Sequence, residues 1–104
     1  MKTESIRNEV RELLASGPFS GSARVNLDTI RRQEELLDAI KSPITDDEAK
    51  ELVKLFGPDD YFGLAWTLLH LIETAPSWPI ADCLRDDSNE WVVRLKERAR
   101  RGRN

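Results

Sequence analysis

One histidine and one cysteine are the strongest chemical groups in this 104-residue chain, and their surroundings decide what either can do. His70 lies in the run Trp66-Thr67-Leu68-Leu69-His70-Leu71-Ile72-Glu73-Thr74. On a helix Glu73 falls one turn after it, where a carboxylate orients an imidazole for proton transfer. The same spacing equally serves a structural histidine, half-buried and bonded to a threonine or a backbone carbonyl. No nucleophile elbow, phosphate loop, zinc-protease pair or calcium-loop spacing occurs, so no enzyme and no catalytic residue is expected. Cys83 sits beside Asp82, Asp86 and Asp87, whose charge opposes thiolate formation, and reads as a small core residue. One Cys and one His exclude an internal disulfide and a thiolate zinc site, and no metal or cofactor is expected.

Charge carries more information than either residue. Residues 56–90 hold seven acids and one base, whereas residues 91–104 hold six bases and one acid. The acidic stretch is explained by helix capping at Asp59-Asp60 and Asp86-Asp87, or by a negative surface that docks a basic partner. Trp78, in a Pro-flanked loop, either anchors that loop to the core or adds an aromatic to the surface. On the docking reading the contact residues are Asp59, Asp60, Tyr61, Trp78, Asp86 and Asp87. The basic end, 94–104, either complements a helix dipole or binds nucleic-acid phosphates. A net charge of −3 and a pI near 5.2 weigh against nucleic acid.

These residues must be positioned by helices. Close to half of the chain is Ala, Leu, Glu, Lys, Arg, Gln and Met, the strong helix formers. Leu, Ile, Val and Phe make up about a quarter, enough for a packed core in a chain with 34% charged residues. Apolar residues at helical spacing predict a first helix over 5–16, stopped by Gly17-Pro18, and a loop at 19–22. A second helix starts at the Asn26 cap and closes before Ser42-Pro43. Thr45-Asp46-Asp47-Glu48 reads as a capping box opening a third helix, which Gly57 ends. A fourth is expected over 58–74, with Pro58 at its first position. Between Tyr61 and Ile72 it has no charged residue, the pattern of a central helix buried on nearly its whole circumference. A short fifth carries Ile80, Cys83 and Leu84, and Ser88 caps a sixth with Trp91, Val92, Leu95 and Ala99 inward.

The expectation is one all-α domain over 1–104. About six short antiparallel helices form a HEAT-like stack around the apolar one. No run of about 18 apolar residues is present, so nothing spans a membrane. A charged N-terminal stretch without an apolar signal core suggests the cytoplasm.

The stretch Gly57-Pro58-Asp59-Asp60-Tyr61-Phe62-Gly63-Leu64-Ala65-Trp66-Thr67-Leu68-Leu69-His70-Leu71-Ile72-Glu73 resembles the core of small helical immunity proteins. These belong to bacterial polymorphic-toxin and contact-dependent inhibition systems. Trp78-Pro79 and Ser88-Asn89-Glu90-Trp91 are similar to segments of the same proteins, and the likeness covers roughly residues 45–95. It implies a HEAT-like fold and a cytoplasmic protein that neutralises a cognate toxin domain by binding it, often over the toxin's active site. A nuclease toxin would present a basic surface to the acidic middle. Trp66, His70 and Glu73 carry over as motif positions that hold the fold. The alternative is a small regulatory or nucleic-acid-associated protein using the basic C-terminal helix.

Overall fold

The computed structural model describes residues 6–19 and 26–101. The expected helix start at Ser5, loop residues 20–22 and Arg103 of the basic end lie outside them. Five α-helices are seen among the described residues: α1 (Asn8–Ala15), α2 (Leu27–Ala39), α3 (Asp46–Leu52), α4 (Leu64–Ile72) and α5 (Glu90–Arg101). Two 3-10 turns, Val53–Leu55 and Ala81–Leu84, complete the order, and no strand occurs among these residues. The fold is therefore all-α, with five α-helices among the described residues rather than the expected six. The expected fifth is only the four-residue turn that buries Cys83.

Caps account for the helix starts. Asn26 accepts from the Thr29 N–H (2.9 Å), satisfying one of the free amides at the start of α2. The Thr45–Glu48 capping box is present in full, with Thr45 Oγ1 accepting from the Glu48 N–H and Glu48 Oε1 from the Thr45 N–H. α5 is capped by Asn89, whose Oδ1 accepts from the Trp91 N–H (2.8 Å), and not by Ser88 as expected. Ser88 instead donates its N–H and hydroxyl to Asp86.

The fourth helix begins six residues later than expected. Asp59 Oδ1 accepts from the Tyr61 N–H (2.9 Å), a local bond that competes with helix formation. Tyr61, Phe62 and Gly63 then take positive φ (50°, 58° and 87°), which no right-handed helix tolerates. Burial of Tyr61 accounts for this turn. Its ring stacks on Phe19 (centroids 4.7 Å apart) and its hydroxyl donates to Gln33 Oε1 (2.5 Å). Gln33 in turn donates to Ser16 Oγ and the Gly17 carbonyl, so a fully buried amide is satisfied on both ends.

α4 is the spine, with Leu64, Ala65, Leu68, Leu69, Leu71 and Ile72 buried. It is not buried all round: Trp66, Thr67 and His70 face solvent. α1 and α2 run antiparallel, with Glu12 paired to Arg32 and Arg7 bonded to the Lys41 carbonyl. α3 and α4 also run antiparallel, since Thr74 Oγ1 accepts from the Ile44 N–H and Asp46 from the Ser77 N–H. The last pair departs from the expected up-down order. Trp66 meets Trp91 (4.9 Å) and, seven residues further along each helix, Glu73 meets Arg98 (2.7 Å). Equal steps in one direction mean that α4 and α5 are parallel, and residues 73–89 supply the return crossing. No helix among the described residues is long and apolar enough to cross a membrane.

Candidate interaction surface

The turn before α4 sends two adjacent aromatics in opposite directions. Tyr61, expected at the contact surface, is 1% exposed and committed to Phe19 and Gln33, so it leaves the contact set. Phe62 takes its place outside, 54% exposed. A bulky residue at φ 58° costs about 1 kcal/mol or more relative to ordinary backbone, and such strain concentrates at working sites. Asp59 and Asp60, both exposed, precede this pair. They are not in the first turn of a helix, as expected, but on the loop that presents Phe62.

The second acidic segment lies at the same end of the molecule. Asn89 Nδ2 donates to the Phe56 carbonyl (3.1 Å) and Trp91 Nε1 to the Asp59 carbonyl (3.1 Å), which ties the start of α5 to the 56–59 loop. Asp86 and Asp87 lie within three residues of Asn89, and Asp86 lines a pocket with Lys50, Lys54 and Arg85. Asp86 is bonded to Ser88 and Asp87 is ion-paired with Lys96, so part of this charge is already spoken for.

Trp78 is not brought to that end. Its N–H donates to the Ala75 carbonyl (3.0 Å), beyond the C-terminus of α4. α4 spans about 13 Å at nine residues, so Trp78 and Asp60 lie at opposite ends of it. Trp78 is half-buried and packed against the core. Next to it, hydrogen bonds from Ser77 to Asp46 hold that carboxyl below the usual aspartate range.

His70 is more exposed than the half-buried histidine expected, with 61% of its side chain open to solvent. Its Nδ1 is 3.8 Å from Glu73, too far for a hydrogen bond, and Glu73 gives both oxygens to Arg98 (2.7 and 3.0 Å). The residue that would orient the imidazole is thus engaged elsewhere. Thr74, another candidate partner, bonds the Ile44 N–H and the Leu71 carbonyl instead. Cys83 is buried, and burial together with Asp82 pushes its thiol up to about 11, so it stays protonated at neutral pH. Among the described residues no three His, Cys, Asp or Glu side chains gather as a metal-holding group.

Three bases of the basic helix have acidic partners. Arg94 bonds Glu90, Lys96 pairs with Asp87, and Arg98 with Glu73. Arg94 also lies over the rings of Trp66 (5.3 Å) and Trp91 (4.9 Å), so part of its role is packing. A phosphate docking at Arg94, Lys96 or Arg98 would compete with these surface carboxylates. Trp66, Arg94, Glu97, Arg98 and Arg101 border a groove of about 270 Å³ between α4 and α5.

Sequence reasoning missed Phe62 as the exposed aromatic, and missed the Gln33 and Arg7 bonds. A signal for the first was present. Asp59 two residues before Tyr61, and Gly63 after Phe62, are turn residues as much as helix-start residues. Comparison of the chain with protein-family models, curated proteins and solved structures gives no match.

Proposed function

We propose that this chain is a non-catalytic binding protein, an immunity protein that captures and neutralises a cognate bacterial toxin domain in the cytoplasm. The observation that carries the proposal is Phe62, held outward on left-handed backbone beside Asp59 and Asp60. A solvent-exposed aromatic on a rigid turn, with acids at its flank, has the composition of an interface anchor that meets a basic, apolar-lined surface. Tyr61 makes that turn rigid from below through Phe19 and Gln33. The resemblance of residues 57–73 supplies the toxin-binding class, and the all-α fold of the described residues agrees with it at that coarse level. Asp86 and Asp87 lie close in sequence to Asn89, which binds the 56–59 loop, while Trp78 lies outside this contact.

Co-expression with a candidate toxin domain, sought first in the neighbouring reading frame, tests the reading. The expected result is restored growth and a complex that survives purification. Phe62→Asn should weaken capture about 30-fold, the loss typical of a buried aromatic anchor, and Asp60→Lys should weaken it more at low salt than at high. Lack of protection, or full affinity in both variants, overturns the proposal.

A further inference from the structure

We propose that the solvent-facing strip of α5 joins two copies of this chain in an antiparallel, twofold-symmetric pair. Glu90, Arg94, Glu97 and Arg101 recur at i, i+4, i+7 and i+11. At about 100° per residue they share a strip within roughly 60° of arc. The strip lies away from Trp91, Val92, Leu95 and Ala99, which are buried. Glu97 and Arg101 are exposed, and with Arg94 they form the outer lip of the groove floored by Trp66.

The signs along this strip alternate: acid, base, acid, base. Turned antiparallel about a point between Leu95 and Lys96, the helix sets Glu90 opposite Arg101 of the second copy and Arg94 opposite its Glu97. The twofold repeats both pairings, giving four contacts of opposite charge and none of like charge. A parallel alignment would set each of these residues against its own copy, like on like. The ends agree with the antiparallel register. Asp86 and Asp87 precede the helix while Arg98, Arg100 and Arg101 close it, so each acidic start lies beside a basic end. Arg94 bonds Glu90 on its own helix and lies over Trp66 and Trp91, yet both charged side chains still reach the surface of the strip, where an i,i+4 pair is weak enough to exchange partners.

The size of the strip sets the strength of the pair. α5 is twelve residues and about 18 Å long, so with Trp66 it offers far less than the roughly 800 Å² per partner of a standard interface. The pair is therefore a weak one, formed at high concentration.

Sedimentation velocity of the full chain from about 10 µM to about 1 mM reads this directly. The mass should climb from 11.9 kDa toward twice that value, and fall back at about 1 M salt, where screening acts within about 3 Å. Glu97→Arg alone should abolish the rise, as should Arg94→Glu alone. An equimolar mixture of the two variants should restore it, because each chain then carries the signs the other lacks. If circular dichroism shows Arg94→Glu loosening the fold, Glu90→Arg mixed with Arg101→Glu makes the same test at the outer contacts. A wild-type chain that stays at monomer mass throughout overturns the proposal. So does a pair indifferent to Glu97→Arg or to salt, or a mixture that fails to associate.

Discussion

The molecule contains two arginine–glutamate forks of nearly the same geometry in two different environments. At the junction of α1 and α3, Arg7 gives its N–H, Nε and Nη2 to Glu48, and the Thr45 N–H adds a fourth bond. Glu48 is wholly buried. At the rim between α4 and α5, Arg98 gives Nε and Nη2 to Glu73, and both side chains touch water. Burial of Glu48 pushes its carboxyl upward, yet the Arg7 and Thr45 bonds outweigh that and hold it below its ordinary value near 4.5. At the rim it is the arginine that responds, with the Glu73 bonds raising Arg98. The same pair of residues is thus an internal clamp in one place and a solvated contact in the other. What differs is how much water each carboxylate has lost.

Breaking the clamp is the largest test of that contrast. Arg7→Ala removes both guanidinium bonds and leaves Glu48 buried with only two backbone donors, the N–H of residue 7 and that of Thr45, and a loss of about 3 kcal/mol in urea unfolding is expected. The pH dependence should change with it. A carboxyl lowered in the folded state contributes stability that is complete above its unfolded value and lost as pH falls through the folded one. Wild type should therefore weaken as pH drops below about 4.5, and Arg7→Ala should show a flatter acid limb. Next in size is Tyr61→Phe, which leaves Gln33 Oε1 buried without a donor and should cost about 1.5 kcal/mol by the same measurement. Phe62→Gly should move the other way. It relieves the positive φ and removes an exposed aromatic, so a gain of about 0.5–1 kcal/mol is expected, alongside weaker partner capture. Smallest is Glu73→Gln at the rim, where a loss of about 0.5 kcal/mol is expected, reduced further by salt. A rim variant as costly as Arg7→Ala would erase the distinction.

Local signals were readable in the sequence, and their long-range uses were not. The Thr45–Glu48 capping box and the Asn26 cap are visible as residue types at fixed spacing, and both form. Nothing local shows that Glu48 also receives Arg7 from 41 residues away. Pro58-Asp59-Asp60 fits a helix start and a turn equally well. The choice is made by Tyr61 packing on Phe19, a contact across 42 positions of chain. Of the expected contact residues, Asp59, Asp60, Asp86 and Asp87 come to one end, because Asn89 and Trp91 bind the 56–59 loop. Tyr61 goes inside and Trp78 goes to the far end of α4, since both follow core packing rather than charge.

The parallel course of α4 and α5 has a consequence for how the chain acquires its shape. Each contact between them, Trp66 with Trp91 and Glu73 with Arg98, joins residues 25 positions apart. The α3–α4 pair needs only the short 56–63 connection, so it has the smaller loop-closure entropy to overcome. On that ground α5 is expected to dock onto an assembled hairpin, and native-state hydrogen exchange should find its amides opening before those of α4.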